Sequence, residues 1–152
     1  MLVEHVQPKR NSFTGRWEYE LLHDVSYNWN GHQILVPRLY SYDGATIPWF
    51  AWTFTYTPFD PIVMLPALMH DWLYLSHQVP RDQADAILKQ LLTDNGASSV
   101  RVGLIYTAVR TFGRFYWNIT TEDCSYVTWL KGQLTATGAT VGNYIWPVCP
   151  PP

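Results

Sequence analysis

The hydrophobic and polar positions in the first third of the chain follow the pattern of β-strands. Between Arg16 and Ser41, two stretches rich in aromatic and β-branched residues, WEYELLHDVSYNW and HQILVPRLYS, flank the dipeptide Asn30-Gly31. An Asn-Gly pair accepts the positive φ angles of a tight turn, so the pattern predicts an antiparallel hairpin. Pro37 removes one backbone donor from the second stretch, which indicates an edge strand or a bulge there.

The middle of the chain changes to helical periodicity and predicts three helices. The first runs from about 60 to 76, where an Asp-Pro pair supplies an N-cap and a first-turn proline. The second runs from about 81 to 94 or 95 and ends at an Asn-Gly pair that suits a left-handed cap. The third begins at Ser98 or Ser99 and continues to about 117. The predicted buried faces of the second and third helices are Ala84, Ile87, Leu88, Leu91 and Leu92, and Ile105, Ala108, Val109, Phe112 and Phe115 or Tyr116.

The order of these elements predicts the α+β fold class. A length of 152 residues suits one domain, with residues 1–57 rich in β-structure and loop and residues 58–117 helical. The first two helices form an antiparallel αα-hairpin within this helical part. Residues 118–152 return to Thr, Tyr, Trp and Gly and end in prolines, so we predict a C-terminal extension of short strands or extended chain.

Composition and charge exclude several classes of protein. With 47% hydrophobic residues and eight Trp, the chain is not disordered. A net charge of −2 gives no broad cationic field, so no nucleic-acid partner is expected, and Arg101, Arg110 and Arg114 are interpreted as a solvated helix face. The longest apolar runs fall far short of the ~20 residues that a membrane-spanning helix requires, so no transmembrane segment is expected.

The two cysteines leave two interpretations open. Cys124 and Cys149 could close one loop, or they could remain free thiols. The N-terminal sequence has an early Glu4 and no apolar stretch of signal-peptide length, so we expect synthesis in a cytoplasm, where thiols stay reduced. Free thiols are therefore predicted, although a particle that leaves the cell could oxidise them. The pair has no companion histidine cluster and is not a zinc site.

Polar residues with chemical potential lie on the predicted αα-hairpin. His70 and Tyr74 share a helix face one turn apart, while Asp71 points to an adjacent face. Asp85 lies at the border of the apolar stripe on the second helix. His70 and Asp85 are nearly equidistant from the turn, so an antiparallel hairpin brings their side chains to one level. His77 lies about 10 Å along the axis from His70, too far to share a metal ion.

Two interpretations of this cluster follow. If Asp85 accepts the Nδ1–H of His70, the Nε2 atom is free to take a proton from water, which is the arrangement of a general base and its orienting carboxylate. Alternatively, His70, Tyr74 and Asp85 form a satisfied polar network that ties two helices together.

Four short motifs resemble a known family. DGATIP (43–48), HDWLY (70–74), RDQAD (81–85) and VRTFG (109–113) occur in this order, and together they resemble the phage and prophage proteins of domain of unknown function 1353. The resemblance extends over about residues 33–117. It implies a phage origin and synthesis in the host cytoplasm, and it brings no established reaction.

HDWLY is also similar to the His-Asp-x-x-Tyr helix of secreted phospholipases A₂. That similarity implies that His70 is the base that activates water, that Asp85 orients it and that Tyr74 supports Asp85. It also implies Ca²⁺ as a cofactor, bound by Asp71 and by the loop that begins at Asp43. The alternative role for Asp43 is local, because its carboxylate can accept backbone N–H bonds within a turn.

Two functions are therefore expected. The first is a virion-associated protein, a tail or other particle component, whose aromatic surfaces pack on neighbouring subunits or on other copies of the chain. The second is a Ca²⁺-dependent phospholipase A₂-like hydrolase that acts on lipid esters of the host membrane. In that case Trp49, Phe50, Trp52 and Phe54 form an apolar contact surface beside the site, and otherwise they belong to the core.

Overall fold

The computed structural model describes residues 6–42 and 60–149. These residues form two compact units. The terminal unit contains 6–42 and 119–149, and the central unit contains 60–118. The prediction that the whole chain makes one domain stays a prediction.

Five strands in the terminal unit form two antiparallel sheets. Strands β1 (Val6–Arg10), β2 (Trp17–Leu21) and β5 (Ser41–Tyr42) make a three-stranded sheet in the order β1-β2-β5. Strands β3 (Val25–Trp29) and β4 (His32–Val36) pair with each other. With the helices described below, these sheets confirm the α+β class.

The turn between β3 and β4 confirms the hairpin predicted from the sequence. Asn30 and Gly31 have φ angles of 48° and 83°, the left-handed geometry that an Asn-Gly turn supplies. Strand β4 ends at Val36, directly before Pro37. The predicted first strand was too long, because it divides into β2 and β3, which belong to different sheets.

Four helices form the central unit. They are α1 (Met64–Ser76), α2 (Arg81–Asp94), α3 (Ser99–Phe112) and the short α4 (Arg114–Trp117). A four-residue connection joins α1 to α2, which makes the predicted αα-hairpin. Residues from the first three helices share one apolar core, in which the side chains fully shielded from solvent include Leu68, Met69, Trp72, Leu73, Ile87, Leu88, Leu92 and Ile105.

The ends of these helices differ from the prediction at two places. Helix α1 begins at Met64 because Asp60 first closes a turn, in which its carboxylate accepts the Ile62 N–H at 2.9 Å. The predicted third helix is interrupted at Gly113, so the 3.6-residue period does not continue into α4. Phe115 and Tyr116, one of which was predicted to be buried, follow this interruption and are exposed. Phe112, also predicted to be buried, is the last residue of α3 and is 37% exposed.

The C-terminal prediction of short strands or extended chain is wrong for residues 121–136, which form helix α5 (Thr121–Ala136). Its start carries a capping box: the Thr120 hydroxyl accepts the Asp123 N–H at 3.1 Å, and the Asp123 carboxylate accepts the Thr120 N–H at 2.8 Å. Helical spacing then places three apolar residues on one buried face. They are Val127, Leu130 and Leu134.

Helix α5 packs within the terminal unit through aromatic contacts. The ring of Tyr126 lies 5.7 Å from that of Phe13 and 6.2 Å from that of Tyr40, both edge-to-face. Its hydroxyl is 3.4 Å from the Ser41 hydroxyl, and burial raises the pKa of Tyr126. These contacts join the C-terminal helix to the N-terminal strands.

In the part of the chain that the structure describes, no helix has the length and apolar character needed to cross a membrane.

A disulfide bond joins Cys124 and Cys149, so the prediction of free thiols is wrong. The two Cα atoms are 5.7 Å apart, within the range that a disulfide spans. This proximity results from the α5 fold and from the path of the chain after it, neither of which the sequence pattern predicted.

Replacing both cysteines by serine is expected to lower the free energy of unfolding by about 3 kcal/mol, because the bond closes a loop of 25 residues in the unfolded chain. Urea unfolding without reductant would measure this loss. A reducing agent should destabilise the wild-type protein by a similar amount and leave the double variant unchanged. Equal midpoints for the two proteins without reductant would show that the bond contributes nothing.

Candidate functional site around Asp85

Helix α1 is apolar on almost every side, and all of its residues except Leu65 are buried. Among these buried residues, His70 and Asp71 carry ionisable imidazole and carboxyl groups with 1% and 9% of their surface exposed. Polar groups at such depth are normally hydrogen-bonded. The partners of His70 therefore define the site.

Asp85 on α2 is the centre of a buried polar cluster. Its Oδ1 atom lies 2.7 Å from Nε2 of His70 and accepts a hydrogen bond from the Tyr74 hydroxyl at 2.8 Å. The Asp85 side chain is fully buried. The structure thus brings together the three side chains that helical spacing predicted to meet.

The nitrogen of His70 that contacts Asp85 differs from the prediction, which assigned this bond to Nδ1. Nε2 lies at the far end of the imidazole ring from the His70 backbone, so it reaches a carboxylate on the neighbouring helix. The Asp85 carboxylate only accepts, so Nε2 carries the proton of the neutral ring and Nδ1 has the lone pair. Nδ1 is buried, and within residues 6–42 and 60–149 nothing hydrogen-bonds to it.

Two arginines approach the other oxygen of Asp85. Nη1 of Arg110 on α3 lies 2.7 Å from Oδ2, and Nη1 of Arg81 lies 3.5 Å from it. Arg81 also donates to the carbonyl oxygen of Val109 at 3.2 Å, near the C-terminal end of α3. Asp85 therefore links three helices of the central unit through one carboxylate.

The charges of this cluster set its protonation. Burial alone would raise the pKa of Asp85, but the hydrogen bonds from His70, Tyr74 and Arg110 lower it below its usual value. Burial and the Asp85 carboxylate raise the pKa of Tyr74. The hydrogen bond to Asp85 likewise raises the pKa of Arg110. At neutral pH the carboxylate is ionised and the tyrosine keeps its proton as a donor.

Neither arginine was predicted to join this cluster. Arg110 was assigned to a solvated face, but its side chain is only 34% exposed and it pairs with Asp85. Arg81 carried a recognisable signal, because it precedes Asp85 by four residues and so lies on the same side of α2. The partner on α3 had no comparable local signal.

Gly113 allows the end of α3 to approach this cluster. A Cβ atom at this position would meet the Tyr74 hydroxyl and the Val109 carbonyl oxygen, and it would lie 3.0 Å from Nη1 of Arg81. Glycine is therefore required at 113 for close packing.

Gly113→Ala is expected to lower the free energy of unfolding by about 1–3 kcal/mol, because the added methyl group overpacks the cluster. Gly103→Ala is the matched control, since Gly103 lies within α3 and a Cβ there meets nothing within 4 Å. That change should stabilise the protein by roughly 0.5–1 kcal/mol. Urea unfolding would compare the two, and equal stabilities would contradict the proposed crowding at Gly113.

The predicted calcium ligands are only partly described. Asp71 lies on α1, whereas Asp43 lies outside the described residues, as do Trp49, Phe50, Trp52 and Phe54. Within the described ranges, 6–42 and 60–149, there is no group of three His, Cys, Asp or Glu side chains that could hold a metal ion. The residues described do not by themselves fit a calcium site.

His77 is separate from the Asp85 cluster, as the helical spacing predicted. Its Nε2 lies 2.7 Å from the carbonyl oxygen of Trp117, and its ring stacks on that of Trp117 at 3.8 Å between centroids. This contact joins the end of α1 to α4.

A family profile described as "Protein of unknown function (DUF1353)" matches residues 19–109, which is more than half of the chain. The chain belongs to this family. The motifs HDWLY and RDQAD lie within the matched residues, and so do His70 and Asp85. Neither the curated proteins nor the solved structures contain a significant match to the chain.

Proposed function

We propose that this DUF1353 protein is a hydrolase in which His70 activates water to cleave a carboxylic ester. The observation that supports it is the asymmetry of the imidazole. Nε2 is held by Asp85 at 2.7 Å, while the buried Nδ1 has no hydrogen-bond partner among the described residues. Leaving a buried acceptor unpaired costs about 1–3 kcal/mol. A proton donor at Nδ1, such as the attacking water, removes that cost.

In this mechanism each residue of the cluster has one role. Asp85 holds the tautomer of His70 and stabilises the imidazolium once it forms, while Tyr74 and Arg110 keep Asp85 in place. Nδ1 takes a proton from water as the water oxygen bonds to the ester carbonyl carbon. The same proton passes to the alkoxide when the bond between carbon and the leaving oxygen breaks. The products are a carboxylic acid and an alcohol.

Access to His70 sets a condition on this proposal. Because the side chain is only 1% exposed, the central unit has to open locally for an ester to reach Nδ1. Motions of this kind occur on the microsecond to millisecond timescale in many enzymes.

The proposed substrate is a phospholipid of the host envelope, because HDWLY is similar to the helix of secreted phospholipases A₂.

Calcium takes no part in the steps above, since Asp71 is the one predicted ligand among the described residues. Calcium binding at Asp71 stays a prediction with its own test: the wild-type protein should bind Ca²⁺ in a calorimetric titration, and Asp71→Asn should not. Equal binding by the two proteins would remove Asp71 from the site.

The activity is tested by incubating the purified protein with phosphatidylglycerol vesicles and with a soluble short-chain ester, each with Ca²⁺ and with EDTA. Release of carboxylic acid from either substrate supports the proposal. If no acid appears from either substrate under either condition, the protein is not the ester hydrolase proposed.

A second candidate function is association with a phage particle, and the disulfide favours it. A bond between Cys124 and Cys149 persists in oxidising surroundings, which include the surface of a virion, and not in a reducing cytoplasm. An enzyme can also be carried in a particle, so the two functions are compatible. Mass spectrometry of purified particles without reductant should detect the bonded peptide pair. Absence of the protein from the particles would overturn this candidate.

A further inference from the structure

Helices α3 and α4 expose apolar side chains that are not part of the core. Val100 and Leu104 are 72% and 48% exposed, and Phe115 and Tyr116 are 68% and 48% exposed. In a helix with 100° between residues, Val100 and Leu104 lie about 40° apart on one face. We name Val100, Leu104, Phe115 and Tyr116 the outer apolar residues.

The outer apolar residues are not an extension of the core. The residues of α3 that are buried are Val102, Ile105, Ala108 and Val109. Their mean direction is more than 90° away from that of Val100 and Leu104. Exposed apolar side chains that line up along one face indicate a binding surface rather than packing.

The same segment is cationic. Arg101 and Arg114 are exposed, and no acidic residue lies between Asp94 and Glu122 in the sequence. The guanidinium of Arg114 lies 4.9 Å from the centre of the Phe115 ring. Each of the two helices thus exposes an arginine next to an apolar side chain, Arg101 beside Val100 on α3 and Arg114 beside Phe115 on α4.

This combination decides what kind of partner fits. Aliphatic side chains such as Val100 and Leu104 make no hydrogen bonds to phosphates, on which the affinity for a nucleic acid mainly depends. The apolar boundary of a lipid layer accepts them, while arginine stems extend so that the guanidinium groups reach the phosphates above. An acid-free segment adds no repulsion toward negatively charged headgroups.

We propose that the outer face of α3 and α4 binds the surface of membranes rich in anionic phospholipids. Val100, Leu104 and Phe115 enter the boundary between headgroups and acyl chains, and Arg101 and Arg114 bind lipid phosphates. This proposal deepens the proposed function and rests on it for the claim that the bound lipid is the substrate. The binding itself depends on residues outside the Asp85 cluster.

The test is co-sedimentation of the full chain with vesicles of phosphatidylcholine, alone or mixed with phosphatidylglycerol. The wild-type protein should bind the mixed vesicles at least tenfold more tightly than the neutral ones. Leu104→Ser/Phe115→Ser should weaken binding to mixed vesicles by at least tenfold, because it removes buried apolar area. Arg101→Gln/Arg114→Gln should remove most of the preference for anionic lipid, at about fivefold per arginine.

The terminal unit supplies a matched control. Arg16 and Trp17 are also a consecutive arginine and aromatic residue, and Trp17 is 73% exposed, close to the 68% of Phe115. Arg16→Gln/Trp17→Ser should bind mixed vesicles like the wild type. If this control loses as much binding as Leu104→Ser/Phe115→Ser, or if neither changes it, the assignment to α3 and α4 is wrong. A second copy of the chain could occupy this surface instead, and analytical ultracentrifugation tests that alternative. If the wild type is a dimer that Leu104→Ser/Phe115→Ser dissociates without loss of vesicle binding, the proposal is overturned.

Binding and hydrolysis fail in different ways. A variant that lacks the general base, His70→Gln, should bind mixed vesicles as the wild type does. Leu104→Ser/Phe115→Ser should cleave a soluble short-chain ester at the wild-type rate and lose cleavage of vesicle lipid. Vesicle binding without any hydrolysis would overturn the proposed ester hydrolysis and support the membrane-binding surface. Hydrolysis of the soluble ester without vesicle binding would support the hydrolysis and overturn the membrane-binding surface.

Discussion

His70→Gln is expected to lower the rate of ester hydrolysis by a factor of about 10²–10⁴, the usual contribution of a general base. The glutamine amide can still donate a hydrogen bond toward Asp85, whose Oδ1 lies 2.7 Å from Nε2 in the wild type. It has no nitrogen lone pair to take a proton from water. The fold should therefore persist while the reaction is lost, which kcat/KM on a soluble ester would measure.

His77 offers a matched control for this variant. It directly follows the last residue of α1, and its Nε2 also contacts an oxygen at 2.7 Å, the carbonyl of Trp117. His77→Gln should keep the wild-type rate, because its ring is engaged by α4 and not by Asp85. If His70→Gln hydrolyses the ester as fast as His77→Gln, His70 is not the general base and the mechanism is wrong.

Asp85→Asn is expected to lower the free energy of unfolding by about 3–5 kcal/mol, because it removes one partner of a buried ionic cluster. The carboxylate accepts from His70 and Tyr74 on one oxygen and faces Arg110 on the other. In either orientation, an asparagine presents its NH₂ group to one set of these donors. Urea unfolding at neutral pH would measure the loss.

Asp82→Asn is the control for that experiment, since Asp82 is exposed in the first turn of the same helix. We expect it to change stability by less than about 0.5 kcal/mol. The pKa of Asp85 is lowered in the folded protein, so the ionised carboxylate contributes to the free energy of unfolding at pH values above its unfolded pKa of about 3.8. That contribution to stability disappears as the pH falls through the pKa of the folded protein. Equal stabilities of Asp85→Asn and Asp82→Asn at neutral pH would contradict the account of the cluster.

The αα-hairpin and the meeting of its polar side chains could be predicted because local rules determine both. Periodicity and turn residues fix where α1 and α2 run, and the short connection between them fixes that they are antiparallel. Counting from the turn then places His70 and Asp85 at one level. Which nitrogen of the imidazole makes the contact depends on ring orientation and on the distance between the helices, and residue spacing contains neither.

Helix α5 shows where local signals conflict. Its threonines, tyrosine and tryptophan favour strands, and this composition outweighed two helical signals in the prediction. The capping box of Thr120 and Asp123 and the helical spacing of Val127, Leu130 and Leu134 were both present in the sequence. Packing of that apolar face decides the outcome, since tertiary contacts override weak propensities.

Contacts between distant parts of the chain lay beyond the sequence pattern. Arg110 joins Asp85 across 25 positions, and Cys149 reaches Cys124 across the same separation. No periodicity relates such pairs, because the contact depends on how separate elements pack. The same limit explains why Phe115 was predicted to be buried: one glycine at 113 ends the helix that would have turned it inward.

The central claim is that Asp85 fixes Nε2 of His70 and leaves Nδ1 as the nitrogen that accepts a proton. Long-range ¹H–¹⁵N correlation NMR of the histidine rings, assigned by comparison with His70→Gln, tests it most directly. For the neutral ring of His70 we expect a proton on Nε2 and an unprotonated Nδ1. A proton on Nδ1, or nitrogen shifts averaged between the two tautomers as in a solvent-exposed histidine, would contradict the account.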